Sequence, residues 1–230
     1  MRPESSARRP AVRPVRVAAP GVNLDGDLAI PADARGIIVF AHGSGSSRHS
    51  PRNRYVAEAL QAAGLATLLM DLLTPQEEAV DLRTAHLRFD IGLLANRLVH
   101  AASWLNTQPD TQRLPIGYFG ASTGAGAALV AAAEAPDGVG AIVSRGGRPD
   151  LAGPALSRVR APTLLIVGGD DLPVIEMNRV ARAQLQVETR MDIVPGATHL
   201  FEEPGALEQV AQLAADWFGT HLGRLTARAA

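Results

Sequence analysis

The sequence predicts an α/β domain with a mostly parallel central sheet, helices on both faces and no lid domain. Three observations carry that expectation. Six short apolar runs alternate with longer segments of helical spacing, the pattern of strands joined by crossover helices. Several of these runs end in loops containing glycine, serine or aspartate, where open parallel sheets place their sites. The chain has 230 residues, 47% of them hydrophobic and 20% charged, enough for one domain with a sizeable core.

The elements follow in order. Residues 1–16 are rich in arginine and proline and lack the apolar stretch of a signal peptide; they are expected to be disordered or loosely attached. Residues 17–230 then form a single domain. "VRVAAPGVNLDGDLAIP" suggests an antiparallel hairpin turning at Asp25-Gly26. "GIIVFAH" (36–42) is a β-branched run ending in a glycine-serine loop, and 50–64 has helical spacing with a glycine stop. "LATLLMDLL" (65–73) reads as a buried strand. Residues 87–107 form one amphipathic helix, with apolar positions 91, 94, 98 and 105 on one face. "LPIGYFGAS" (114–122) is a strand that must turn at once into the alanine-rich helix 123–135. Further strands are expected at 138–147, 161–171 and 187–196, with helices near 174–185 and at 204–221.

Composition excludes several chemistries. There is no cysteine, hence no disulfide, no thiolate nucleophile and no cysteine-ligated metal. The formal net charge is -1, which marks neither a nucleic-acid binder nor an acidic-surface protein. All 22 basic residues are arginine. No apolar run reaches the ~20 residues of a membrane span. No metal-ligand spacing and no cofactor motif appears, so the expected partner is a small molecule, with neither nucleic acid nor membrane. The expected location is cytoplasmic. The apolar helix faces are compatible with either a monomer core or a homodimer interface.

The candidate site residues lie at the carboxyl ends of the predicted strands. Ser122 sits in Gly120-Ala121-Ser122-Thr123-Gly124, where a strand turns sharply into a helix. Such a turn lifts the hydroxyl out of the sheet and places it at the positive end of the helix. A serine hydroxyl needs a base, and the base needs a carboxylate to orient it. "VGGDD" supplies Asp170 and Asp171, with Asp171 favoured because D-x-x-V follows it before a helix. "PGATHLF" supplies His199. His49, in a loop near the site, is a lesser candidate base.

A tetrahedral intermediate would also need two backbone N–H groups aimed at its oxyanion. Thr123 is expected to give one, and Ser44, in the loop "HGSGSSRHSPRN", the other. His42 opens that loop and is expected to hold its shape or to touch substrate. Arg145 and Arg148 flank two glycines after residue 144 and could grip an anionic group, or pair with Asp150. Arg48, Arg52 and Asn53 are expected to brace the 42–53 loop, and Phe89-Asp90 to be packing and a surface charge. The segment "RGGRPDLAGPALSRVR" is too short for a lid.

"VFAHGSGSSRHSPRN", "GYFGASTGAGAAL", "VSRGGRPDL", "LLIVGGDDLPV" and "PGATHLFEEPG" together resemble the dienelactone hydrolase-like branch of the α/β-hydrolase superfamily, from about residue 20 to the C-terminus. The order Ser, Asp, His is that of the superfamily. The resemblance implies a capless hydrolase with an open site. It departs at the nucleophile, which is cysteine in true dienelactone hydrolases and Ser122 here, so lactone specificity does not carry over. Some similar domains are fused to phosphoribosyltransferases; no such domain is read in this chain. The expected function is a serine hydrolase acting on esters, thioesters or lactones. The alternatives are a non-catalytic binding or regulatory module, and an acyltransferase or perhydrolase using the same triad.

Overall fold

A computed structural model describes residues 10–229, with side chains to 223. One eight-stranded sheet forms the centre: β1 (Val12–Ala19), β2 (Val22–Ala29), β3 (Ile37–Ala41), β4 (Ala66–Met70), β5 (Ile116–Ala121), β6 (Ala141–Arg145), β7 (Thr163–Gly168) and β8 (Thr189–Val194). Their order is β1-β2-β4-β3-β5-β6-β7-β8. The six apolar runs are the parallel strands β3 to β8, while β1 and β2 add on antiparallel at one edge. The mostly parallel α/β sheet expected from the alternation is what the chain forms.

Continuous apolar strands are needed because both faces of the sheet are covered. In β3, Ile38 and Phe40 point into a core shared with α1 (Pro51–Ala62) and α6 (Ala206–Ala229), through Val56, Leu60 and Phe218. The alternating residues Ile37, Val39 and Ala41 point into the opposite core, with Leu94, Leu98 and Leu105 of α3 (Ile91–Leu105) and Leu129 of α4 (Thr123–Glu134). Tyr118 is fully buried there and donates its hydroxyl to Leu98 O at 3.1 Å. Lost hydration pushes its pKa well above the ordinary range.

Four expectations need correction. The expected disordered segment spans 1–16, but β1 already begins at Val12 and its ladder pairs Arg16 with Asp25; residues 1–9 lie outside the described chain. The hairpin turns at Pro20-Gly21, not Asp25-Gly26. Proline presets the first turn position and Gly21 takes φ 77°, as a type II turn requires. Gly26 lies inside β2 because two strands close on it: an added Cβ would sit 3.1 Å from Leu68 Cδ1 and 3.2 Å from Val15 Cγ2.

The segment between β4 and β5 differs from expectation twice. The sequence reading placed no helix at 75–84, yet α2 (Pro75–Thr84) is there. Thr74 and Glu77 close a capping box: Glu77 N–H donates to Thr74 Oγ1 at 3.2 Å and Thr74 N–H to Glu77 Oε2 at 2.8 Å. The expected single helix over 87–107 is broken into a 3₁₀ turn at Leu87–Phe89 and α3. Asp90 breaks it by accepting Leu93 N–H at 2.9 Å as N-cap. Asp90 is therefore a cap, and Phe89 is 55% exposed instead of packed.

The segment after β6 folds as short 3₁₀ turns over Pro149–Arg158 against α4. Gly126 permits this approach: an added Cβ would meet Leu151 Cβ at 2.9 Å. The last described helix before β8 is α5 (Leu172–Gln184). No helix among the described residues is long and apolar enough to cross a membrane.

Candidate active site

The site begins with the backbone at Ser122, which has φ 51° and ψ -122° between the last residue of β5 and the first of α4. A non-glycine residue there is strained, and such strain persists only where surroundings impose it. The surroundings are a close crossing of strand, loop and helix. A Cβ on Gly120 would run into Ala125 Cα, and one on Gly124 into the carbonyls of Ala41 and His42. Gly43 brings the next loop against the serine, since a Cβ there would lie 3.1 Å from Ser122 Cβ. Ser122 N–H donates to Arg145 O at 3.3 Å, and Ser122 O accepts from Ala125 N–H and Arg148 N–H. The backbone is thus pinned on both sides. The hydroxyl makes no hydrogen bond among the described residues.

His199 and Asp171 meet at 2.7 Å, Nδ1 to Oδ2. Asp171 directly follows the β7 turn, and His199 lies in the loop after β8. Asp171 occupies the N-cap position of α5 without capping it, so its carboxylate is free to turn to the histidine. Asp170 is exposed, and its backbone N–H is spent on Ala197 O at 3.0 Å. Of the two aspartates, Asp171 is the one beside His199. The Asp171 side chain is only 14% exposed, against 40% for His199.

The histidine loop packs on glycine at the end of β6, next to the residue that binds the Ser122 amide. A Cβ on Gly146 would lie 3.6 Å from His199 Cε1 and 3.1 Å from His199 O, and Gly146 takes φ 50° to allow the contact. Gly146 directly follows Arg145, whose carbonyl binds Ser122 N–H. Gly168 likewise lets the 197–198 backbone lie against the end of β7. Phe201, buried and at φ 56°, closes the loop.

Other candidates stand differently. Thr123 is the first residue of α4, so its amide is one of the helix's unpaired N-terminal donors. Ser44 N–H is not free: it donates to Thr123 Oγ1 at 2.8 Å. The amide expected to face the oxyanion is therefore engaged with the side chain that follows Ser122. His42, a candidate for substrate contact, has both ring nitrogens occupied: Nε2 accepts Leu72 N–H at 3.1 Å, so Nδ1 carries the proton and donates to Gly43 O at 3.0 Å. It holds the loop, and burial lowers its pKa.

Arg148 is clamped by both oxygens of Asp150, at 2.8 and 2.7 Å, and is not available for a substrate anion. Arg145 is buried against α1 and the histidine loop. It is 6% exposed, its Nη2 donates to Asn53 Oδ1 at 3.3 Å and its guanidinium lies 5.7 Å from the Phe201 ring centre. Burial, then the charge of Arg52, bring its pKa down to about 10. Arg48 binds Asp71, and Arg52 binds Glu202 at 2.8 Å, so both brace loops as expected. His49 bonds Arg54 instead of approaching the site.

The sequence reading missed a cavity of about 80 Å³ beside the 42–47 loop, lined by His42, Ser44, Leu72, Leu82, Arg88 and Leu94 among others. α2 and the 3₁₀ turn close it, and the only sign in the sequence was the capping box Thr74-x-x-Glu77.

The chain matches the dienelactone hydrolase family over residues 24–222. It belongs to that family. It is 67% identical to a dienelactone hydrolase from Anabaena variabilis of known crystal structure, with a TM-score of 0.92 covering 93% of this chain and 99% of that one. Est1E from Butyrivibrio proteoclasticus shares the fold at a TM-score of 0.73 and 16% identity, over 91% of this chain and 98% of that one. The chain is also 64% identical, over 90% of its length, to a protein of Mycobacterium tuberculosis named "Putative phosphoribosyl transferase". It spans 46% of that protein, about half the length of the curated relatives it matches.

Proposed function

We propose that this dienelactone hydrolase family member is a serine hydrolase that cleaves carboxylic esters, thioesters or lactones of small, accessible substrates. The observation that carries the reading is the 2.7 Å bond between His199 and Asp171, held by glycine-packed loops at the strand ends where Ser122 occupies its strained turn. In this reading Ser122 Oγ attacks the carbonyl carbon while His199 Nε2 takes the hydroxyl proton. Asp171 accepts Nδ1–H, fixing the tautomer and stabilising the imidazolium that forms. The C–O bond to the leaving group breaks as His199 returns the proton to that oxygen. A water molecule, deprotonated by the same histidine, then attacks the acyl-enzyme and frees Ser122. The Thr123 amide at the positive end of α4 stabilises the oxyanion of each tetrahedral intermediate.

The family match supports a hydrolase, and the name of the Anabaena relative agrees with it. The phosphoribosyl transferase name belongs to proteins more than twice as long as the matched region, and this chain's glycine loop fits neither G-x-x-x-x-G-K-[ST] nor G-x-G-x-x-G. The test is fluorophosphonate labelling alongside p-nitrophenyl acetate hydrolysis, on wild type and Ser122→Ala. Labelling and turnover in wild type, both lost in the variant, are expected. Folded wild type that neither labels nor turns over would overturn the reading.

A further inference from the structure

The amide expected to serve as the second oxyanion donor, Ser44 N–H, instead donates to the side chain of Thr123 at 2.8 Å. Thr123 is 4% exposed and directly follows Ser122. A threonine hydroxyl has one donor hydrogen and two acceptor lone pairs. Accepting from Ser44 uses an acceptor position and leaves the hydrogen uncommitted. Among the described residues that hydrogen finds no acceptor. A buried hydroxyl whose proton lacks a partner is costly unless something else supplies one. Its place, between the first amide of α4 and the loop pressed on Ser122 by Gly43, is where negative charge would develop on an attacked carbonyl oxygen.

We propose that the Thr123 hydroxyl is itself an oxyanion donor, so that one residue binds the intermediate through both its N–H and its O–H. The inference rests on the serine hydrolase reading. Ser44 then acts through Thr123: its N–H polarises the hydroxyl, strengthens the O–H as a donor and fixes its rotamer. The oxyanion receives the hydrogen bond without displacing the Ser44 contact, so nothing has to reorganise as charge develops. No bond to Thr123 is made or broken, and its proton stays on the oxygen throughout.

The competing possibility is that the hydroxyl blocks the Ser44 amide until substrate displaces it. The two predict opposite signs. Thr123→Val keeps shape and volume but removes the hydroxyl. If the hydroxyl is a donor, kcat for p-nitrophenyl acetate falls about 10²-fold, the typical loss of one oxyanion donor. KM should move less than threefold. The inhibition constant of phenylboronic acid, a tetrahedral mimic on Ser122, should rise in step with the fall in kcat. Thr123→Ser should restore most of the lost kcat. Valine-variant activity equal to or above wild type would overturn the proposal. So would a loss that serine fails to rescue, or one confined to KM, since either would mark a purely structural contact. If the valine variant does not fold, Thr123→Ala is read against Thr123→Ser by the same criteria. Ser122→Ala separates the layers: if it still turns over, the serine hydrolase reading fails; if it is dead while Thr123→Val is fully active, only the present inference fails.

Discussion

At the scale of single residues, the identities of the candidate triad were legible because strand ends and chain order restrict where such groups can lie. Between two adjacent aspartates one residue of turn geometry decides, and the D-x-x-V that follows Asp171 already favoured it. Asp170 is exposed, while Asp171 meets the histidine. On the proposed chemistry Asp171→Asn lowers kcat by about 10⁴, because the histidine loses its tautomer control. Asp170→Asn stays within a few-fold; steady-state esterase kinetics on both variants checks this. The arginines divide. A guanidinium beside glycines at a strand end suits an anion, but Asp150 two residues on offered Arg148 a partner, whereas sequence does not show which face of a strand Arg145 takes. Arg148 found Asp150, and Arg145 fell on the α1 face beneath Phe201.

His42 gives a prediction in pH. Its folded-state pKa lies below the ordinary 6.5, mainly through burial. The fold therefore favours the neutral ring, and below about 6.5 the unfolded chain binds more protons than the native one. That contribution is fully present above pH 6.5 and is lost as pH falls through and below it. Protonating Nε2 would also break its bond from Leu72 N–H. Urea unfolding at pH 7.5 and 5.0 should show a smaller pH-dependent loss in His42→Gln than in wild type.

At the scale of elements, the five parallel strands β3 to β7 were legible because a strand covered on both faces must be apolar throughout, while the edge strand β8 is partly exposed and carries Arg190 and Asp192. Failures came where a few polar side chains decide the backbone. Asp90 cut an apparently continuous helix in two, and Thr74 with Glu77 started one in a stretch that reads as polar. Thr74→Ala should cost about 1 kcal/mol of stability in urea denaturation, the usual value of an N-cap. Gly124→Ala should do more. Its methyl would meet two backbone carbonyls, which cannot move as a flexible side chain can. A fall in melting temperature together with loss of fluorophosphonate labelling is expected, because the crossing that would resist the methyl also strains Ser122.

At the scale of the whole molecule, the absence of a lid insertion after β6 was readable from loop length, whereas the cavity beside the 42–47 loop was not. It is made by packing α2 and the 3₁₀ turn over that loop, and a capping box alone shows where α2 starts, not what it covers. At about 80 Å³ it holds a group of only a few heavy atoms. If it receives the acyl part, p-nitrophenyl acetate should exceed the octanoate by at least tenfold in kcat/KM, measured across an acyl-length series. Leu94→Ala, which enlarges it, should narrow that ratio.

The candidate triad is drawn from three strand ends far apart in the chain: Ser122 after β5, Asp171 after β7 and His199 after β8, the edge strand. No fragment ending before residue 199 contains all three, and no partly assembled sheet brings them together. Turnover would then be a reporter of completed folding, arriving with the docking of the last parallel strand and its loop. In a refolding experiment ester hydrolysis should lag behind the recovery of helical signal. The interval between the two would time the closure of the β7–β8 edge.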